Sequence, residues 1–573
     1  MRNLLILLVL LAGAVRAEEA RQPEETHAII TRQSVTASRY MVAAAHPQAA
    51  EAGRAVLAAG GSAADAAVAI QMMLNLVEPQ SSGIGGGAFA LYWDAATATL
   101  SSWDGRETAP LAAGPDYWLG PDGAPVKWPE AVVGGRSVGV PGTLMLLERL
   151  HARFGRMQWA GLLAPAIRAA ELGFPVSARL SASITGALEF NLAASPVARA
   201  YFLDADGVPW PEGHILTNPA FAETLGLIAA GGIAEFYNGA TAAKIIAATR
   251  MTDNPGILTT GDFTAYQVRE RPPVCAPYRG YQVCGMGPPS SGALTVGQIL
   301  MLLERFDLAA MGPGAEAWHL FAEASKLAYA DRALYMADSD FVDMPEGLLN
   351  REYMAARSRL IDPAAAHGPA EAGTPPWDEA RFYAPDITQE RPGTSHFVVV
   401  DAAGNMISMT TTIETGFGSG VMVGGFLLNN ELTDFSFAPE QDGKPVANRV
   451  EGGKRPRSSM APTIVLKDGR PVLLVGSPGG SRIIAYVAQA LVAMLDWGMD
   501  PQAAVDQGHV ANRNGGTDLE EGSDAAGYGL ALQAMGHEVT IRNMNSGLHA
   551  ILIGDGVLVG GADKRREGVV LGE

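Results

Sequence analysis

An α/β fold of the α+β type is what this sequence predicts, and three stretches carry the expectation. Helices and short strands alternate as far as about residue 360. A strand, a tight turn and a returning strand then run from Thr394 to Thr412, built of alternating β-branched and polar residues. Farther on, the apolar run Pro471-Val472-Leu473-Leu474-Val475 leads through a glycine turn into a helix reaching about Trp497. Apolar residues make up 48 % of the 573-residue chain and charged residues 18 %, which supports a substantial core and argues against disorder.

From the start, Met1-Arg2-Asn3 and the apolar stretch Leu4 to Val15 read as a secretory signal over residues 1–17, cut after Val15-Arg16-Ala17. It is too short and too early for a spanning helix. No cysteine lies near the cut, so no lipid anchor is expected. The mature chain is then exported, periplasmic in a Gram-negative cell or secreted, with no membrane span. The formal net charge is −19, and losing Arg2 and Arg16 makes it more acidic. With no basic stripe, nucleic acid is excluded as a partner.

Residues Pro47 to Ala59 read as a helix stopped by Gly60-Gly61. Ser62 with Asp65 three residues on is an N-cap for a second helix, Ala63 to Leu76. The only cysteines, Cys275 and Cys284, flank Tyr278-Arg279-Gly280-Tyr281. A two-residue loop at Arg279-Gly280 sets them opposite each other within disulfide range, and an oxidising compartment allows the bridge. The alternative is a pair of free, packed thiols. Residues 361–393 hold six prolines without a sustained period, the pattern of a mobile connector.

At the end of that connector Asp401 to Asn405 forms the turn of a hairpin. If Asp401 closes with Asn405, pairing runs outward and sets Thr394 opposite Thr412, with Cβ atoms about 4.5–5.5 Å apart. A threonine hydroxyl is a poor nucleophile without a base beside it. Cutting the chain between Gly393 and Thr394 would free an α-amine of pKa about 7.7–8.0, suited to take the hydroxyl proton. An ordinary threonine-rich hairpin is the alternative from these residues alone.

Gly476-Ser477-Pro478-Gly479-Gly480-Ser481-Arg482 joins a strand to a helix start, where unpaired N–H groups and a positive dipole end collect. Gly479 and Gly480 would let a substrate carbonyl approach closely, as an oxyanion hole requires. Gly83 to Gly87 is no phosphate loop, because no Gly-Lys-Ser/Thr follows. Ten histidines show no HExxH or paired spacing, and two cysteines nine apart make a poor zinc site. No metal and no organic cofactor are expected, and His396 is taken as structural.

The chain resembles the γ-glutamyltranspeptidases, N-terminal-nucleophile hydrolases whose small subunit begins at a threonine in a Thr-Thr/Ser-His stretch. The resemblance covers nearly everything after the first thirty residues. It runs through Glu78 to Gly87, Gly105-Arg106-Glu107-Thr108-Ala109-Pro110, Gly139-Val140-Pro141-Gly142 and Pro288-Pro289-Ser290-Ser291-Gly292. It continues through Tyr329-Ala330-Asp331-Arg332, Leu428-Asn429-Asn430, Asp434-Phe435-Ser436 and Ser458-Ser459-Met460-Ala461-Pro462 to the glycine turn. The resemblance implies a four-layer αββα sandwich formed by two subunits cut from one precursor. The large subunit is about residues 18–393 and the small, catalytic one 394–573, associated as a heterodimer.

By the same resemblance Thr394 is the nucleophile, Thr412 orients it, and Gly479 and Gly480 stabilise the oxyanion. Arg106, Ser458 and Ser459 hold the substrate's α-carboxylate, while Asp434 and Glu431 receive its α-ammonium. The substrates implied are glutathione and other γ-glutamyl compounds, with an amino acid, a peptide or water as acceptor. Two departures stand out. Glu414 occupies a position where better-known members carry asparagine, which adds negative charge beside the ammonium. The chain between Asp434 and Ser458 is shorter than in members with a long lid loop, so an open pocket is expected. These leave a related glutaryl- or cephalosporin-type acylase as the alternative, and a decayed periplasmic binding protein as a more distant one.

Overall fold

The computed structural model describes residues 26, 28–192, 195–377, 382–386, 388 and 391–573. The signal segment expected at 1–17 lies outside the described residues.

Two seven-stranded sheets organise the molecule. In the first, the strands follow the order Val35–Ala37, Leu558–Ala562, His549–Ile553, Arg470–Gly476, Thr463–Lys467, Tyr281–Gly285 and Val274–Tyr278. In the second the order is Val569–Gly572, Met41–Ala44, Thr394–Val400, Met406–Thr412, Gly87–Asp94, Thr99–Gly105 and Arg269–Arg271. Neighbouring strands in both are antiparallel.

The period-two alternation of the central strands decides what lies on each face. Val398, Val400 and Met406 point toward the first sheet and pack with Ile464, Leu474 and Ile551. Phe397, Val399, Ile407 and Met409 point the other way, into a core shared with the helices Pro47–Ala58 and Ala63–Val77. The first sheet contributes Val465, Leu473 and Val475 to a third core with the helices Gly292–Leu303, Ala315–Tyr335 and Ile483–Leu495. Ser62 and Asp65 form the reciprocal capping box that their spacing predicts.

The hairpin register is the predicted one. Asp401 N–H donates to Asn405 O over 2.9 Å, and Thr394 pairs with Thr412. Cys275 lies opposite Cys284 with Cα atoms 4.0 Å apart, and the two are disulfide-bonded. The turn between them places Arg279 and Gly280 at positive φ, as a two-residue hairpin loop demands.

The described residues of the 361–393 connector carry no helix or strand before Thr394. Their backbone is nonetheless bonded to neighbouring loops. Ala370 exchanges two hydrogen bonds with the Asn514 side chain, at 2.6 and 2.8 Å. Gly373 N–H donates to Asp331 over 2.8 Å, and Asp386 N–H to Ala333 O over 2.8 Å. Absence of a period marks absence of regular structure, and says nothing of such side-chain anchors. Among the described residues no helix is long and apolar enough to cross a membrane.

Candidate active site

Strand alternation also aims the site. Thr394, His396, Thr410 and Thr412 share the parity of Val398, so their side chains face the space between the sheets. There Thr394 Oγ1 donates to Thr412 Oγ1 over 3.3 Å. Thr412 Oγ1 in turn donates to the carbonyl oxygen of Gly393 at 3.0 Å, and accepts the N–H of Glu414 at 2.8 Å. Arg566 donates to Thr394 O over 2.9 Å and so fixes the backbone after Thr394.

Thr394, Thr412, Arg106, Glu414, Glu431, Asp434, Ser458, Ser459 and Gly480 line a single small cavity. The strand Arg470–Gly476 ends beside this cavity, and the turn after it brings Gly480 to the wall. Gly479 and Gly480 both have positive φ, +136° and +58°, which side-chain-bearing residues rarely adopt. Gly479 itself is not part of the lining, and a Cβ there would meet the Tyr486 ring at 2.6 Å.

Arg106 behaves differently from the separate cationic end expected of it. Its guanidinium is bonded to both Glu431 and Asp434, at 2.6 Å for the aspartate. It also donates to the carbonyls of Pro456 and Arg457. A guanidinium this buried must be paired, so the two ends of the expected zwitterion pocket meet as one charge cluster. Ser458 Oγ accepts Met460 N–H at 3.1 Å, and Ser459 Oγ accepts from Arg332 at 2.9 Å.

Burial, reinforced by Asp434 and Glu414 and opposed by Arg106, pushes the Glu431 carboxyl up to about 8. Glu107, directly behind, is raised well above the carboxylate range by burial and by Glu431. Burial also raises Glu414, against the hydrogen bonds from Arg391 N–H and Asn430. Glu414 sits at φ +73°, a left-handed conformation that asparagine tolerates better than glutamate.

The residues around the pocket are little exposed in the uncut chain. The pocket's lining carboxylates, serines and threonines are buried, and Arg391, three residues before Thr394, adds to the wall while stacking on Trp128 at 3.8 Å. Arg391, Arg566, Asn430 and Glu107 are the residues that sequence reasoning missed. Their roles depend on contacts across the fold, and only the runs Arg106-Glu107 and Asn429-Asn430 hinted at two of them. His396 is buried, bonded through Nδ1 to Thr410 at 2.9 Å, and held far below its usual pKa by burial and by His549. That matches a structural rather than a catalytic imidazole.

A gamma-glutamyltranspeptidase family model matches residues 49–573. A glutathione hydrolase proenzyme of Bacillus subtilis (strain 168) is 38 % identical over 582 residues, covering 99 % of this chain and 97 % of that protein. Among solved structures, a cephalosporin acylase from Bacillus halodurans is similar with a TM-score of 0.81 and 28 % identity, covering 96 % of this chain and 99 % of that one. A Helicobacter pylori gamma-glutamyltranspeptidase chain is 33 % identical with a TM-score of 0.55, covering 61 % of this chain and 96 % of that one.

Proposed function

The chain belongs to the γ-glutamyltranspeptidase family, and we propose that Thr394, released by self-cleavage, is the nucleophile of its chemistry. Its activity is that of a γ-glutamyltransferase and glutathione hydrolase. The observation that carries the nucleophile assignment is the chain of contacts from Thr394 Oγ1 to Thr412 Oγ1 to the Gly393 carbonyl, 3.3 and 3.0 Å long.

In the uncut chain, Thr394 Oγ attacks the carbonyl carbon of Gly393 while Thr412 holds that carbonyl's oxygen. The Gly393–Thr394 C–N bond breaks as the ester to Oγ forms, and the Thr394 amine takes the proton. Water then hydrolyses the ester, leaving a large subunit ending at Gly393 and a small one beginning at Thr394. The sandwich is the four-layer αββα arrangement of the two subunits. Its support is the pair of facing sheets with helix-bearing cores on their outer sides.

In the mature site the Thr394 amine accepts the hydroxyl proton as Oγ attacks a γ-glutamyl amide, and passes it to the leaving amine. The N–H groups of the Gly479-Gly480 turn stabilise the oxyanion. The substrate's two charged groups enter the Arg106–Glu431–Asp434 cluster and exchange partners with it, the α-carboxylate going to Arg106, Ser458 and Ser459 and the α-ammonium to Asp434, Glu431 and Glu414. Water releases glutamate from the acyl-enzyme, or an amine acceptor releases a new γ-glutamyl amide. Export to the periplasm or beyond, through the signal at 1–17, is part of the same reading.

The structural likeness to a cephalosporin acylase keeps one rival in play. The Asp434 carboxylate on the cavity wall favours a substrate that brings an ammonium, which a glutaryl group lacks. Purified protein assayed on a γ-glutamyl anilide and a glutaryl amide decides between them. Faster turnover of the glutaryl compound would overturn the γ-glutamyl reading.

A further inference from the structure

The sequence offers no metal-binding spacing, but the fold assembles a set of ligands from distant parts of the chain. His319 and Glu323 lie one turn apart on the helix Ala315–Tyr335, and His537 reaches them from the loop after the helix Gly529–Ala534. One ligand atom from each of the three residues lies within 4.8 Å of the others. All three side chains are buried.

The protonation of the pair is fixed by its neighbours. His319 Nε2 faces the carbonyl of Asp362 at 2.7 Å, which can only accept, so Nε2 carries the proton. His319 Nδ1 is then a lone pair, and it faces His537 Nε2 at 2.8 Å. His537 Nδ1 meets the hydroxyl of Thr517 at 3.1 Å. One imidazole nitrogen therefore already points a lone pair at the centre of the cluster. Binding an ion moves the other ring's proton from Nε2 to Nδ1, where it donates to the Thr517 hydroxyl; the His319–His537 hydrogen bond is given up, two metal–nitrogen bonds take its place, and the charge of the pair does not change.

We propose that His319, Glu323 and His537 form a structural site for a zinc-class divalent cation. Two neutral imidazoles and one carboxylate, with water at the fourth position, are a donor set that suits zinc. Tetrahedral geometry with Zn–N bonds of about 2.0–2.1 Å needs the two nitrogens about 3.3 Å apart. The rings must open by about half an ångström from their hydrogen-bonded distance, well within side-chain adjustment. Lys326 opposes the site, since its ammonium donates to Glu323 Oε1 at 2.7 Å. Binding must draw the carboxylate away from it or share it.

The location gives the ion a task. His319 and Glu323 precede Thr394 in the chain and His537 follows it, so after cleavage the ion would bridge the two subunits. That consequence rests on the proposed cleavage; the site itself does not. At the other end of the same helix Tyr329 donates to Ser481 O, beside Gly480, and Arg332 donates to Ser459. The ion would brace the helix that holds the glycine turn and the carboxylate-binding serine.

The test uses untagged protein, stripped with a chelator and titrated with Co(II) and then Zn(II). One equivalent of cobalt should bind, with the visible absorption of a low-coordinate site, and zinc should displace it. His319→Ala and His537→Gln should each weaken uptake more than about tenfold, whereas Lys326→Met should tighten it. Unprocessed Thr394→Ala should bind equally well, so failure of the cleavage reading leaves this result standing. No saturable equivalent, or uptake indifferent to both histidine variants, would overturn the site. Should those variants not fold, weaker or unchanged binding in Lys326→Met would overturn it instead.

Discussion

Thr412 Oγ1 donates to the carbonyl oxygen of Gly393 over 3.0 Å, across the hairpin from the threonine that follows that carbonyl. The hydroxyl has one proton, and its two other contacts are donors, the Glu414 N–H and the Thr394 O–H. Its proton is thus committed to the carbonyl oxygen of the Gly393–Thr394 peptide, the bond that the proposed self-cleavage breaks. Thr412→Val keeps the shape and removes the donor. Self-cleavage should slow by about two to three orders of magnitude, the effect of deleting one oxyanion donor, while Thr412→Ser should process nearly normally. A gel time course after purification reads both. Cleavage at the native rate in the valine variant would remove Thr412 from the mechanism, and two bands from Thr394→Ala would remove Thr394.

Asp434 and Glu431 share one guanidinium, which makes the two ends of the pocket unequal under mutation. Asp434→Asn leaves Arg106 paired with Glu431, so the fold and cleavage should survive. The charge-assisted bond proposed between Asp434 and the substrate ammonium would be worth about 1.5–3 kcal/mol, so its loss should cost about ten- to a hundredfold in kcat/KM for γ-glutamyl anilide. Glutaryl amides, with no ammonium, should be little affected. Arg106→Gln instead strands the buried Asp434 carboxylate beside Glu431 and should destabilise by about 3–5 kcal/mol. Equal losses on both substrates in Asp434→Asn would place ammonium recognition elsewhere.

What the sequence could reveal depended on how local the physics was. The Ser62–Asp65 box, the Asp401–Asn405 closure and the Cys275–Cys284 register each follow from residues within ten positions, and each is found in the structure. Thr394 and Thr412, eighteen positions apart, join that class because a hairpin converts spacing into contact. The merging of Arg106 with Glu431 and Asp434 does not, since those residues stand more than three hundred positions apart and meet only through packing. Arg566 behind Thr394 and the His319–His537 pair were illegible for the same reason.

Glu431 should give stability a measurable slope with pH. Burial holds its carboxyl protonated up to about pH 8, whereas an unfolded glutamate releases its proton near about 4.3. Between those values the folded chain binds more protons than the unfolded one, so this group's contribution is full below about pH 4 and is lost as pH rises through 8. Glu431→Gln keeps an acceptor for Arg106 and removes the titration. The variant's melting temperature relative to the parent should climb steadily from pH 5 to pH 8 and then level off. A constant difference over that range would mean Glu431 is ionised throughout in the folded state.

The disulfide should contribute to stability and leave catalysis alone. Cys275 and Cys284 close a loop of about ten residues, for which the chain-entropy relation gives about 2–3 kcal/mol. The hairpin they join is also held through pairing of Tyr281–Gly285 with Thr463–Lys467, so its strands should stay in register without the bond. Neither cysteine lines the active-site cavity. The double variant Cys275→Ser/Cys284→Ala should therefore unfold at lower denaturant by that amount, process normally and keep its kcat/KM at 25 °C. Dithiothreitol should lower the parent's midpoint to that of the variant, because Cys275 is exposed and within reach of a reductant. An identical midpoint for parent and variant without reductant would show that the purified protein carries two free thiols.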